Sequence, residues 1–144
     1  MATTQIFPTT WAEHAAEIMA VRTTVFIVEQ QVPEELEFDQ ADHSCQHWLA
    51  INHLGQAVGT ARMLDGGHIG RMAVLRNYRQ QGIGHRIMHS VIAWGRQNGQ
   101  TRLQLSAQRQ AQAFYASLGF VAYGEEFMDA GIPHIAMALD LAVN

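Results

Sequence analysis

The sequence predicts an α+β domain built in three layers, a mixed and mostly antiparallel sheet flanked by helices. Three observations lead there. The chain has 144 residues, a length that favours one domain, here taken as residues 1–144, with a core of its own. Apolar residues make up 48% and charged residues 15%, the balance of a folded chain rather than a disordered one. Short runs of strand character are interrupted by stretches in which apolar residues recur at helical spacing. The predicted order is β-α-β-β-β-α-β-α-β-β.

The elements follow in sequence. Residues 11–26 read as helix: Thr10 and Glu13 make a capping-box pair, and Ile18, Val21, Val25 and Phe26 recur near helical spacing. Residues 29–42 carry six acidic side chains and no Lys or Arg, and with Pro33 and little periodicity they read as a loop. Strands are expected at 47–51 and 57–64, joined by a hairpin turn through Asn52 and Gly55, and at 68–75 after the turn at Asp65-Gly66-Gly67. Residues 82–98 are a strong amphipathic helix, with Ile83, Ile87, Val91 and Trp94 on one face and Gly99 as its stop. A strand at 102–106, a helix at 110–118 ended by Gly119, and strands at 121–128 and 134–141 complete the chain.

Composition excludes several functions. The single cysteine, Cys45, rules out an internal disulfide and fits a reducing compartment. No run approaches the roughly 20 apolar residues that span a membrane, and residues 1–8 lack the charged and apolar regions of a signal peptide. A cytoplasmic location is therefore expected, with no membrane partner. A net charge of −4 and the absence of a basic run weigh against nucleic acid. All nine basic residues are Arg. Without lysine the chain has no P-loop lysine and no Schiff-base lysine.

Arg79-Gln80-Gln81-Gly82-Ile83-Gly84 lies between a predicted strand and a predicted helix. Two glycines let the backbone approach a ligand closely, and the helix N-terminus adds about half a positive charge, so the turn suits a diphosphate. A plain glycine-rich connection reads equally well from the glycines alone. Ile87 stands where a dinucleotide fingerprint needs a third small residue.

Arg79-x-x-Gly82-x-Gly84, preceded by Met72-Ala73-Val74, resembles the acyl-CoA-binding motif of the GNAT acyltransferases. Ala111-x-x-Phe114-Tyr115-x-x-x-Gly119-Phe120 resembles that family's later helix-to-strand segment. Val25-Phe26-x-x-Glu29-Gln30 and Gly131-Ile132-Pro133-His134 resemble its ElaA/YjcF-type branch. The likeness runs over residues 21–139. It implies the GNAT acyl-CoA N-acyltransferase fold and transfer of an acetyl group from acetyl-CoA to a primary amine by direct attack in a ternary complex, with no metal. The alternative is a domain that binds acyl-CoA without turnover.

The resemblance also implies roles. The backbone N–H groups of Gln81, Gly82, Ile83 and Gly84, with Arg79, would receive the pyrophosphate. Met72, Ala73 and Val74 would pair with the pantetheine arm, and an N–H near Val74 would polarise the thioester oxygen. Phe114 and Gln108 complete the cofactor set, Gln108 standing where many relatives carry Asn. Tyr115 is the candidate acid for the leaving thiolate, or else a core tyrosine beside Phe114. His134 is the first candidate base, because imidazole titrates near neutral pH and glyphosate-type N-acetyltransferases use a histidine in a similar Pro-His setting; the other reading is a histidine that orders its turn. Glu29 is the rival base.

Arg22 and Arg71 are candidate contacts for an anionic group on a small amine substrate, or internal partners of the acidic segment. That segment either attracts a cationic amine or is solvated surface. His43, Cys45 and His47 alternate, so a strand would present all three to a metal, but ordering of the acidic segment by His47 is the better reading. An edge strand near the C-terminus leaves a homodimer open without specifying one.

Overall fold

The computed structural model describes residues 3–141; residues 1, 2 and 142–144 of the expected domain lie outside the described residues. The chain runs β1 (Gln5–Thr9), α1 (Trp11–Arg22), a π-helical turn (Thr23–Glu29), α2 (Glu34–Glu37), a 3-10 turn (Gln40–His43), β2 (Gln46–Ile51), β3 (Ala57–Leu64) and β4 (His68–Val74). There follow a 3-10 turn (Arg76–Tyr78), α3 (Ile83–Gln97), β5 (Arg102–Gln108), a 3-10 turn (Arg109–Ala111), α4 (Gln112–Ser117), β6 (Val121–Asp129) and β7 (Ile132–Asp140). Seven strands form one sheet in the order β1-β2-β3-β4-β5-β7-β6. Every pairing is antiparallel except β4 with β5.

Alternation along β3 separates the layers. Gly59 faces α3, where an added Cβ would come within 2.9 Å of Ile87 Cδ1. Arg62, an odd number of residues away, points to the other face and joins a cluster with Arg22 of α1. The main core lies under α3, where Ile83, Ile87, Met88 and Val91 pack against Trp48, Ala61, Leu103 and Met137. Among the described residues no helix is long and apolar enough to cross a membrane.

Two expectations need correction. The helix expected over residues 11–26 ends as α-helix at Arg22 and continues as a π-helical turn to Glu29. The segment expected as loop, 29–42, carries α2 and a 3-10 turn, and it is neither bare loop nor solvated throughout. Its acids are drawn inward. Arg22 Nε bonds Glu37 Oε2 at 2.8 Å, and Arg22 Nη1 bonds Asp42 Oδ1 at 2.6 Å. Arg62 reaches Asp39 and Asp42 at 2.7 and 2.9 Å. Paired guanidinium and carboxylate groups can leave water together where neither can alone.

The feature that prepares a site is the parting of β4 from β5. These parallel strands are paired only at His68↔Gln104 and Ile69↔Leu105. Just beyond, β4 spends three residues from Gly70 to Ala73 while β3 spends two, from Arg62 to Thr60. The extra residue makes a bulge at Arg71, whose φ is +52°. A bulge bends its strand and increases its twist, and here β4 turns away from β5.

Candidate active site

A cleft of about 840 Å³ opens where the two strands separate. Its lining comes from the π-helical turn, α2, β4, the turn before α3, the end of β5, α4 and the β6–β7 hairpin. Twelve of the fifteen residues named from the sequence line it, Met72, Ala73 and Val74 forming its β4 edge; Gln81 and Ile83 lie in the turn beside it, and Arg22 does not reach it.

The β4 edge is open. Leu75 N–H bonds Val58 O of β3 at 2.9 Å, so by alternation Met72 and Val74 turn their polar groups toward the gap. The Val74 carbonyl is taken by Arg79 Nε at 2.8 Å. The N–H groups of Met72 and Val74 face the gap without a strand to receive them.

At the gap's mouth, Gln80 and Gly82 adopt left-handed conformations, φ +61° and +83°. Gly82 caps α3, and Arg86 N–H is the first of the helix to reach a backbone acceptor, Gly82 O at 3.0 Å. The preceding N–H groups, including those of Ile83 and Gly84, are the unpaired donors of a helix start. Gly84 leaves room for the neighbours of the cleft: a Cβ there would meet the Phe114 ring at 3.3 Å and Met72 Cε at 3.4 Å. An unpaired strand edge leading to unpaired helix-start donors fits an extended amide chain ending in a diphosphate.

Tyr115 lies in α4 at the cleft wall, flanked edge-on by Phe114 and Phe120, with 8% of its surface exposed. Burial raises its phenol above the ordinary tyrosine value, so it stays protonated at neutral pH. His134, the third residue of β7, also lines the cleft. Its Nδ1 lies 2.7 Å from Ile132 O. A carbonyl only accepts, so Nδ1 carries the hydrogen, and in the neutral ring the lone pair is on Nε2. Phe127 stacks on the ring at 6.1 Å. His134 thus both orders its turn and presents a basic nitrogen.

Glu29 is at the cleft but engaged. Both its oxygens take bonds of 2.7 Å from Arg79, and that guanidinium holds the carboxyl below its usual range against the opposing effect of burial. Arg79 accordingly braces the turn from within. Beside it Gln30 Oε1 accepts from Gln108 Nε2 at 2.9 Å. Gln30 was named in the sequence only as part of the Glu29-Gln30 motif and given no role at the site; in the fold it acts beside Glu29.

Of the two arginines expected at the substrate, Arg22 is 0% exposed and its donors are consumed by Glu37 and Asp42. Arg71 does line the cleft, with Nε donating to Glu37 O at 3.1 Å and Nη2 to Leu36 O at 3.2 Å. Its carboxylate partner is Glu37, at 3.3 Å. The internal pairing weighed for both is what the fold contains.

The His43, Cys45, His47 alternation does not form one face, because β2 starts only at Gln46 and His43 sits against Trp11 instead. Asp42, Cys45 and His47 do converge within 4.8 Å. His47 Nε2 donates to Asp42 O at 2.9 Å, and burial pushes the Cys45 thiol up to about 11. The His47 hydrogen bond orders the acidic segment.

The comparisons agree with this geometry. A family model for the acetyltransferase (GNAT) domain matches residues 12–141. The uncharacterized N-acetyltransferase YjcF of Bacillus subtilis is 36% identical, over 89% of this chain and 94% of its own. An acyl-CoA N-acyltransferase from Pseudomonas aeruginosa is 31% identical with a TM-score of 0.84, covering 94% of this chain and 99% of that one. Escherichia coli ElaA is 26% identical with a TM-score of 0.85, at the same coverage. The chain belongs to the GNAT acetyltransferases, in the branch of ElaA and YjcF, and is an acyltransferase.

Proposed function

We propose that the protein transfers the acetyl group of acetyl-CoA to a primary amine, with both substrates bound together. The observation that carries this reading is the convergence on one cleft of an open β4 edge, unpaired helix-start donors, a protonated tyrosine and a histidine with a free lone pair.

The N–H groups at 81–84 receive the pyrophosphate, helped by the N-terminal field of α3. Met72 pairs with the pantetheine amides, and the Val74 N–H polarises the thioester oxygen as charge develops on it. His134 Nε2 accepts the proton that the amine gives up. The amine nitrogen bonds to the acetyl carbon, the carbon–sulfur bond breaks, and Tyr115 supplies a proton to the departing sulfur. The products are an N-acetyl amine and CoA with a free thiol. Engagement of both Glu29 oxygens by Arg79 favours His134 over Glu29 as the base.

CoA release is measured with acetyl-CoA and a panel of primary amines. Turnover that depends on both substrates supports the reading. Tight acetyl-CoA binding with no release of thiol for any amine would replace it with a binding domain.

A further inference from the structure

The charges on the cleft wall balance except for one. Arg62, Arg71 and Arg79 line it, and each has a carboxylate within the chain: Arg62 with Asp39 and Asp42, Arg71 with Glu37, Arg79 with Glu29. Of the carboxylates on the wall, Glu29 and Glu37 are the ones used in those pairs. Asp129 remains, and among the described residues its side chain has no ion-pair or hydrogen-bond partner.

Register determines where Asp129 stands. It is opposite Ile132 at the closed end of the β6–β7 hairpin, and Phe127 is opposite His134. Residues directly across, and residues two apart on one strand, share a face. Asp129, Ile132, Phe127 and His134 therefore share the hairpin face that carries the candidate base. The cleft wall also carries Val25 and Phe26 of the π-helical turn, Val32 of the segment after it and Leu36 of α2. The acceptor side is thus an apolar slot with a solvated carboxylate at its rim and no unmatched cation.

We infer that the acceptor is a cationic amine on an apolar body that carries no carboxylate or phosphate, steered into the slot by Asp129. This rests on the acetyl-transfer reading above. An anionic group on the substrate would meet guanidinium groups already neutralised and a free carboxylate of like sign. An ammonium is attracted by Asp129 at the rim, where water weakens the pairing enough for the amine to lose its proton deeper in the cleft. The apolar body displaces water from Phe26, Val32 and Leu36.

The test compares phenethylamine with phenylalanine, which adds a carboxylate, and with spermidine, which is cationic but lacks the apolar body. CoA release is followed in the wild type and in Asp129→Asn. Phenethylamine is expected to exceed both others in kcat/KM by at least about tenfold. Asp129→Asn is expected to raise its KM about three- to tenfold and to flatten the dependence of KM on salt, with KM for acetyl-CoA unchanged. A preference for phenylalanine or spermidine, or an Asp129→Asn variant with unaltered KM and salt dependence, overturns the substrate class and leaves acetyl transfer standing. Absence of CoA release with all three amines and with the wider panel overturns both.

Discussion

Glu29 and Arg79, fifty residues apart in the chain, meet in a two-pronged ion pair with both contacts at 2.7 Å. Arg79 in turn holds the Val74 carbonyl at the β4 edge. The next residue, Gln30, bonds Gln108 at the end of β5. One short segment therefore ties down both lips of the gap between β4 and β5. A strut of this kind limits how far the strands can part and holds the turn before α3 against the sheet.

Replacing Glu29 by Gln should loosen that strut. Charge-assisted bonds contribute about 1.5–3 kcal/mol in favourable settings, reduced here by partial exposure. The expected result is a rise of about three- to tenfold in KM for acetyl-CoA with kcat within a factor of about three. A fall of about a hundredfold in kcat with KM unchanged would instead make Glu29 the base.

Tyr115→Phe removes the hydroxyl proposed to protonate the thiolate and keeps the ring between Phe114 and Phe120. In steady-state kinetics kcat should fall about a hundredfold, with little change in KM for acetyl-CoA or in Tm. Unchanged kcat would leave Tyr115 as a packing residue.

Arg22→Leu takes from Glu37 and Asp42, both almost fully buried, their shortest cation contacts and leaves each with one arginine, Arg71 and Arg62 respectively. Breaking a buried pair from one side costs about 3–5 kcal/mol, and for a chain of this length each kcal/mol lowers Tm by roughly 2–4 °C. Thermal unfolding should show a drop of about 10 °C. A drop of less than about 2 °C would mean that the cluster contributes little to stability.

Acid should act on the same cluster with a definite sign. Hydrogen bonds from Arg62 lower the Asp39 carboxyl to about 2. A depressed carboxyl stabilises the fold fully above its unfolded value, about 3.9, and that stabilisation is lost as pH falls from about 4 toward 2. Glu37 runs the other way, because burial raises it in spite of Arg22. The Tm gap between wild type and Asp39→Asn should therefore narrow between about pH 5 and about pH 2; a constant gap would contradict the assignment.

What the sequence announced was what is encoded locally. Thr10 does cap α1, its hydroxyl accepting from Glu13 N–H at 3.3 Å, and α3 starts after Gly82 and stops before Gly99 as its periodicity and glycines predict. The motif residues Tyr115 and His134 reach one cleft because each is held by its own short element. What could not be read was partnership across distance. Arg22 finds Glu37 and Asp42 fifteen and twenty residues on, and Arg79 finds Glu29 across fifty, so charges that look free in the sequence are spent in the fold. Asp129 gave no signal of its own. It becomes conspicuous only after every other charge on the cleft wall has been matched.

The most direct measurement is a crystal structure with a non-hydrolysable acetyl-CoA analogue. The pyrophosphate should lie on the N–H groups of residues 81–84, the pantetheine between β4 and β5, and the sulfur within hydrogen-bond reach of the Tyr115 hydroxyl. An analogue bound elsewhere on the molecule, or bound in the gap with its sulfur beyond the reach of Tyr115, would contradict the account.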